Sequence, residues 1–141
     1  MVASIARIIV AAIAALGLLH IYWALGGRTG QSVAVPEVNG QRAFTPSRSG
    51  TLAVAGALLF ASAVVAIAGG IVRVGGYAAF FRIMAFGLSL TFLARAIGDF
   101  RLVGFFKRIH GTRFARLDTV VFSPCCLVLG LAIFYVAYND V

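Results

Sequence analysis

Two short groups of polar residues interrupt an otherwise apolar chain, and chemistry is expected at these positions. In the first group, His20 and Trp23 lie three residues apart, which places both side chains on one face of a helix. An imidazole there can exchange a proton or donate a hydrogen bond, and an indole can stack on a ligand. The same pair is typical of an aromatic belt at a membrane–water interface. We therefore treat His20 as a candidate acid–base group and Trp23 as a candidate ligand contact.

The second group consists of Arg95 and Asp99, four residues apart, with Arg101 shortly after them. Opposite charges at this spacing attract one another on a helix, and pairing lowers the cost of holding both near a membrane. Arginine offers a planar fork of donors that matches phosphate or carboxylate. The group therefore predicts either a structural ion pair or an anion-binding site. In the second case Arg95 and Arg101 bind an anionic head, and Asp99 orients Arg95.

Other chemistries find little support in the sequence. Cys125 and Cys126 are adjacent and could close only a strained ring, and the Cys-x-x-Cys pair of the four-helix, quinone-linked thiol oxidoreductases is absent. The two histidines lack a metal-ligand spacing, so no metal is expected. No acidic residue lies in the middle of an apolar run, where a proton relay would need one. Catalysis stays an open question, and a quinone or a bound lipid is the candidate cofactor.

The composition determines the environment in which these residues must work. Hydrophobic residues make up 62% of the 141 positions and charged residues 11%, with a mean hydropathy of +1.02. A chain of this size cannot bury so much apolar surface in its own core, so we expect lipid to cover it. The net charge of +8 would suggest nucleic acid in a soluble protein. Here the polar segments are too short for a nucleic-acid fold, and anionic lipid is the expected partner.

Four long apolar runs predict the fold. They cover about residues 5–25, 51–69, 77–97 and 119–138, and each is close to the ~20 residues that cross a bilayer core. The runs do not alternate as membrane strands would, so they must be helices. The sequence predicts an all-α, four-transmembrane-helix bundle that forms a single domain over residues 1–141. Its first loop is long, and its third loop is basic, aromatic and expected at the membrane interface.

The small residues of spans one and two predict how these helices pack, and Asp118 predicts where span four begins. Small side chains let membrane helices approach closely, and spacings of four predict such packing faces in spans one and two. The residues concerned are Ala11, Ala15, Ala53, Ala57 and Ala61. A small-residue face that binds a flat ligand is the alternative. Asp118 is expected to cap the start of span four, with a second role as partner of Arg116 or Arg95.

The distribution of basic residues predicts the orientation. Nine of them lie on the side of the two long loops and three on the side of the chain termini. The positive-inside rule then places the long loops in the cytoplasm and both termini outside. The abundance of arginine, alanine and glycine is typical of bacteria with GC-rich genomes, which suggests a bacterial inner membrane. The third loop is expected to bind lipid headgroups through Lys107, Arg108, Arg113 and Arg116.

Several short motifs lie along the chain: His20-x-x-Trp23-Ala24-x-Gly26-Gly27, Arg95, Gly98-Asp99-Phe100-Arg101, Gly104-Phe105-Phe106-Lys107, Asp118 and Ser123-Pro124. Together they resemble an uncharacterised family of small bacterial membrane proteins that is described as a domain of unknown function. The resemblance covers nearly the whole chain, and its most distinctive part is the stretch Gly98-Asp99-Phe100-Arg101. It implies four membrane helices and brings no activity with it.

Three functional hypotheses follow. The first is a ligand site at the basic end, lined by His20, Trp23, Arg95, Asp99 and Arg101, for an amphiphile with an anionic or polar head and an apolar tail. A phospholipid, an isoprenoid phosphate and a quinone are the candidate ligands. The second is an accessory or assembly subunit of a larger membrane complex. The third is a small transporter that works as a homo-oligomer.

Overall fold

Four long helices dominate the computed structural model, which describes residues 1–139. A short 3-10 turn, Gly75–Tyr77, precedes the third long helix, and a π-helical turn, Asp118–Phe122, precedes the last. The helices are α1 (Val2–Ala24), α2 (Gln31–Ala34), α3 (Arg48–Ala68), α4 (Ala78–Ile97), α5 (Arg113–Leu117) and α6 (Ser123–Tyr138). A two-stranded antiparallel hairpin in the first loop pairs β1 (Glu37–Val38) with β2 (Gln41–Arg42).

The predicted all-α fold with four membrane-length helices is confirmed. By length and composition, four helical segments can cross a membrane, and the chain is a multi-pass membrane protein. They cover residues 2–24, 48–68, 75–97 and 113–138.

The fourth span begins earlier than the sequence predicted. Its helix starts at Arg113 because the hydroxyl of Thr112 accepts a 3.0 Å hydrogen bond from the backbone N–H of Ala115 and caps the first turn. Asp118, expected to be the cap, instead lies one turn inside a continuous helical segment with its side chain fully buried. The predicted capping role of Asp118 is therefore wrong.

The four long helices form a bundle of two closely packed pairs. α1 packs along α3 and α4 along α6, and contacts of α3 with α4 and of α1 with α6 join the pairs. The apolar core lies toward the end of the bundle that carries the chain termini. Its largest fully buried apolar side chains are Ile13, Val64, Val65, Ile133 and Val136. The opposite end of the bundle holds buried polar groups instead.

The small-residue faces predicted to pack inside the bundle mostly point outward. Ala61 is buried, but Ala11, Ala15, Ala53 and Ala57 are exposed. A spacing of four drifts by about 40° per step around a helix of 3.6 residues per turn, so such a stripe leaves any one contact face.

Gly17 makes the close approach of α1 to α3 instead. A Cβ placed on it would lie 3.0 Å from the Leu59 side chain and 3.4 Å from the carbonyl oxygen of Ala55. Glycine lets the two backbones come near each other at this point.

The first loop folds over the same end of the bundle as the third loop. Asn39 and Gly40 have φ values of 52° and 75°, which suit the tight turn of a two-residue hairpin loop. Val35 and Pro36 are buried, and the segment containing them contacts α5. The two long loops therefore form one cap over the basic end of the bundle.

Candidate functional site

A fully buried carboxylate, that of Asp118, organises the basic end of the bundle. Its Oδ1 accepts a 2.8 Å hydrogen bond from Nη2 of Arg95. Its Oδ2 accepts hydrogen bonds from Nζ of Lys107 at 3.0 Å, the backbone N–H of Gly104 at 2.8 Å and Oγ of Ser123 at 3.3 Å. We call these five residues the Asp118 cluster. Charge pairing and hydrogen bonding together allow a carboxylate to lie at this depth.

The π-helical turn brings Asp118 and Ser123 to the same face of their helix. The backbone N–H of Ser123 donates to the carbonyl of Asp118, five residues earlier, which is the π-helical pattern. Pro124 follows directly, and in a regular α-helix its ring would clash with the carbonyl four residues before it. The wider turn relieves that clash. Serine and aspartate five residues apart would not share a face in an α-helix.

Lys107 does not lie where the sequence predicted it. It was expected to bind lipid headgroups, but it is only 3% exposed. Its Nζ donates to the carbonyl of Gly104 at 2.8 Å, to Oγ1 of Thr119 at 2.7 Å and to Asp118 at 3.0 Å. These three bonds use the three donors of an ammonium group. This lysine therefore stabilises the cluster and is not accessible to a headgroup.

The loop that carries Lys107 depends on two glycines whose backbones touch. Gly98 and Gly104 have φ values of 98° and 88°, in the region that side chains disfavour. A Cβ on Gly98 would collide with the carbonyl of Val103, and one on Gly104 would collide with the Cα of Gly98. The backbone N–H of Phe105 closes this Gly98–Gly104 loop with a 2.8 Å bond to the carbonyl of Ala96.

Asp99, which belongs to the same loop, stabilises it by binding the loop backbone. Its Oδ1 accepts hydrogen bonds from the backbone N–H groups of Arg101, Leu102 and Val103 at 2.9, 2.7 and 3.0 Å. The slight desolvation of this exposed carboxylate acts to raise its pKa, but the backbone donors outweigh that effect and hold the pKa of Asp99 below its ordinary value. The predicted pairing of Asp99 with Arg95 is wrong, because Arg95 pairs with Asp118.

Arg95 is the member of the Asp118 cluster that reaches the surface. Its side chain is 34% exposed, whereas that of Asp118 is completely buried. The Nη1 nitrogen of Arg95 is nevertheless buried and has no hydrogen-bond partner within residues 1–139. Arg95 and Lys107 contribute two positive charges and Asp118 one negative charge, so the cluster carries one uncompensated positive charge.

The remaining predicted headgroup contacts are at the surface. Arg108, Arg113 and Arg116 are exposed. So are Arg101, which was predicted to bind the ligand, and three aromatic residues of the third loop, Phe100, Phe105 and Phe106. Phe114, by contrast, is buried against Phe122, with ring centroids 6.1 Å apart. This distribution of cations and aromatic rings suits a surface at the membrane interface.

His20 and Trp23 form a pair of their own, as their spacing predicted. Their rings meet edge to face with centroids 4.9 Å apart. Nδ1 of His20 lies 2.8 Å from the carbonyl oxygen of Leu16, which can only accept, so this nitrogen carries the proton. The indole N–H of Trp23 donates to the carbonyl of Thr29 at 2.8 Å. An open depression of about 330 Å³, lined partly by Trp23 and Arg48, lies beside the pair.

The residues that the sequence placed in one pocket form two groups that make no direct contact with each other in the described part of the chain. Over residues 1–139, no hydrogen bond, ion pair or ring contact joins His20 or Trp23 to Arg95, Asp99 or Arg101. Within the same residues no group of histidine, cysteine and acidic side chains could hold a metal ion. Cys125 and Cys126 are free thiols, one exposed and one half-buried.

The role predicted for Lys107 is wrong, and of the roles predicted for Asp118 only that of partner to Arg95 is confirmed. Asp118 was considered chiefly as a helix cap, although Arg95 was an alternative partner, and Lys107 was grouped with the surface cations. A useful signal was present: an acid directly before an apolar run requires a cation nearby. Which of the several basic residues pairs with Asp118 depends on how the third loop folds.

The candidate site lies within a segment shared with other proteins. A family model described as "Protein of unknown function (DUF3995)" matches residues 13–133. That range contains His20, Trp23, the Gly98–Gly104 loop and the Asp118 cluster. No curated protein and no solved structure matches the chain.

Proposed function

We propose that this chain, which belongs to that family of proteins of unknown function, binds an amphiphile with an anionic head and an apolar tail at its basic end. The proposed location is a bacterial inner membrane, with the two long loops in the cytoplasm and the termini outside. The excess of basic residues on the long-loop side supports this orientation. The head of the ligand would contact Arg95, at the point where the Asp118 cluster reaches the surface.

One observation carries the proposal, the unpartnered Nη1 of Arg95. Nearly all buried polar groups in folded proteins have a hydrogen-bond partner, and leaving a buried donor without one costs about 1–3 kcal/mol. Over residues 1–139, this is the one buried side-chain nitrogen or oxygen without a partner. An acceptor oxygen on a bound head would satisfy it once the partly exposed Arg95 side chain turns toward the head. The residual positive charge of the cluster favours a negative head.

The surroundings of Arg95 suit the rest of an amphiphile. Phe100 and Phe106, on the loop that follows α4, are 57% and 62% exposed and lie with ring centroids 6.4 Å apart. They provide apolar surface for a tail or for the acyl region of the membrane, and the exposed Arg101 offers a second cation on the same loop. Arg108, Arg113 and Arg116 are proposed to contact the surrounding anionic headgroups.

Three of the residues first expected in the pocket do not belong to this proposal. Asp99 uses one carboxylate oxygen to hold its own loop, and His20 and Trp23 form a separate pair. A catalytic role for His20 therefore has no support at the Arg95 site. Of the candidate ligands, a phospholipid and an isoprenoid phosphate can offer an anionic head, whereas a quinone offers a polar head without charge.

Native mass spectrometry of protein released from a mild detergent tests the proposal. We expect a discrete bound mass on the wild-type protein, and its loss from Arg95→Ala. Arg73→Ala is the matched control, because it removes the same charge from an exposed position at the opposite end of the bundle. Equal retention by the wild type and Arg95→Ala would overturn the proposal.

A second variant separates ligand loss from misfolding. Arg95→Ala leaves Asp118 with one cation fewer and can therefore weaken the fold. Arg95→Lys keeps the positive charge but offers a single nitrogen in place of the guanidinium fork. We expect Arg95→Lys to keep the helical content of the wild type and still to hold the bound mass less firmly under collisional activation.

An accessory or assembly subunit is the second candidate function. The exposed small residues Ala11 and Ala15 on α1, and Ala53 and Ala57 on α3, favour it, because small residues on outer faces let another membrane helix approach closely. Co-purification with a larger membrane protein at a fixed stoichiometry, lost on Ala57→Leu, would support this role. Self-association through the same faces would instead support a homo-oligomer, which the transporter hypothesis requires.

A further inference from the structure

We propose that the head bound at Arg95 carries a single negative charge, as a phosphodiester or a carboxylate does. This inference rests on the proposed function and specifies the chemical class of its ligand. It distinguishes a singly charged lipid head from a diphosphate, which carries more than one charge, and from a quinone, which carries none.

The charge inventory of the Asp118 cluster is the first argument. Arg95 and Lys107 face one carboxylate, and no further ion pair over residues 1–139 involves any of these three residues. Desolvated charges are costly unless they are matched. A head with one negative charge neutralises the cluster, whereas a neutral head leaves one positive charge unmatched. A head with two or more charges leaves an excess of negative charge at the buried cluster, because the second cation offered to the head, Arg101, is exposed and its charge is screened by solvent.

The supply of hydrogen-bond donors is the second argument. Nη2 of Arg95 already donates one of its two N–H groups to Asp118, so this guanidinium has fewer donors left for a head than an unpaired arginine would have. The three bonds of Lys107 are made within the protein, so its ammonium cannot turn toward a ligand. The buried donors left for a head are therefore those of one guanidinium, which suits one singly charged group better than a diphosphate.

A competition on the wild-type protein tests the inference without any variant. Delipidated protein would be offered phosphatidylglycerol, phosphatidylcholine and farnesyl diphosphate in equal amounts, and bound species would be counted by native mass spectrometry. We expect phosphatidylglycerol, a diester with one negative charge, to be retained at least about tenfold over each competitor, equivalent to about 1.4 kcal/mol. A preference for farnesyl diphosphate or for phosphatidylcholine would overturn the inference.

A separate arm distinguishes a lipid head from a free anion. Inorganic phosphate supplies the acceptor oxygens without an apolar tail. We expect millimolar inorganic phosphate to leave phosphatidylglycerol bound. Displacement of the lipid by phosphate at that concentration would mean that the site takes a free anion, and the assignment to a diester lipid would be wrong.

Charge variants of the cluster give the sharpest check. Asp118→Asn raises the uncompensated charge from one to two and should shift the preference toward farnesyl diphosphate. Lys107→Gln removes the uncompensated positive charge and should abolish the preference for phosphatidylglycerol over phosphatidylcholine. Each variant would first be compared with the wild type in helical content. If a variant does not fold, the wild-type competition decides the matter alone.

The two proposals fail in different ways. If retention of every amphiphile is the same in the wild type and Arg95→Ala, both the proposed function and this inference are wrong. If retention depends on Arg95 but favours the diphosphate, the ligand site stands and only the inference about head charge is wrong.

Discussion

The guanidinium of Arg95 donates a 2.8 Å hydrogen bond to the carboxylate of Asp118, 23 residues further along the chain. This bond joins α4 to the segment that leads into α6, and the whole third loop lies between its two ends. Lys107, in the middle of that loop, bonds the other oxygen of the same carboxylate. The buried charge of Asp118 therefore fixes the geometry of the basic end.

We expect Asp118→Asn to lower the free energy of unfolding by about 3–5 kcal/mol, because it leaves two cations without their buried partner. Unfolding of the purified protein by SDS in mixed micelles, followed by circular dichroism, measures this loss. Glu37→Gln in the first-loop hairpin is the matched control, and it should change stability by less than about 0.5 kcal/mol. Equal stability of Asp118→Asn and the wild type would contradict the central role of the carboxylate.

A double variant tests whether Lys107 and Asp118 act as a pair. The coupling free energy of Lys107→Met and Asp118→Asn should exceed about 1 kcal/mol, because each single change removes the same ion pair. Additive effects of the two substitutions in the same unfolding assay would show that the lysine is not coupled to the carboxylate.

We expect Gly104→Ala to lower the free energy of unfolding by about 2 kcal/mol or more, since a side chain there is both strained and in collision with Gly98. The substitution would also weaken the hydrogen bond from the backbone N–H of residue 104 to the carboxylate of Asp118. Gly87→Ala on α4 is the matched control, because a Cβ at that position meets nothing within 4 Å. Thermal unfolding in detergent compares the two, and an equally mild effect of both would argue against the crossing of the two glycines.

The loop bonds of Asp99 predict a specific response to acid. Because the folded-state pKa of Asp99 is lowered, the ionised side chain stabilises the loop above the ordinary aspartate pKa of about 3.9. That contribution is lost as the pH falls through the lower, folded-state value. The amide resonance of Leu102 should therefore titrate with a midpoint below about 3.9, and Asp99→Asn should abolish the titration. A midpoint at or above that value would contradict the three-donor geometry.

The proposed orientation predicts the labelling of single cysteines in a background with Cys125→Ser and Cys126→Ser. Asn39→Cys lies in the first-loop hairpin, and Arg73→Cys lies in the short connection at the opposite end of the bundle. A membrane-impermeant maleimide added to intact cells should label Arg73→Cys, and should label Asn39→Cys only after the cells are broken. The reverse pattern would place the long loops outside.

The sequence determined the number and nature of the long helices. Four apolar runs of bilayer length have no stable alternative to helices in lipid, because every backbone N–H and C=O must be bonded within its own segment. The first three predicted spans differ from the observed helical segments by no more than three residues at either end. The position of His20 and Trp23 on one helix face was also predicted, because it depends on local geometry.

Only the tertiary structure decided which charges meet. Asp99 lies one helical turn from Arg95 in sequence, but the crossing of Gly98 and Gly104 bends the chain so that Asp99 caps its own loop. The same bend carries Lys107 inward to Asp118. Local spacing favoured the i, i+4 ion pair, which is worth only about 0.2–0.5 kcal/mol. Burial of Asp118 next to two cations involves several kcal/mol per charge, so long-range packing prevailed over the local preference.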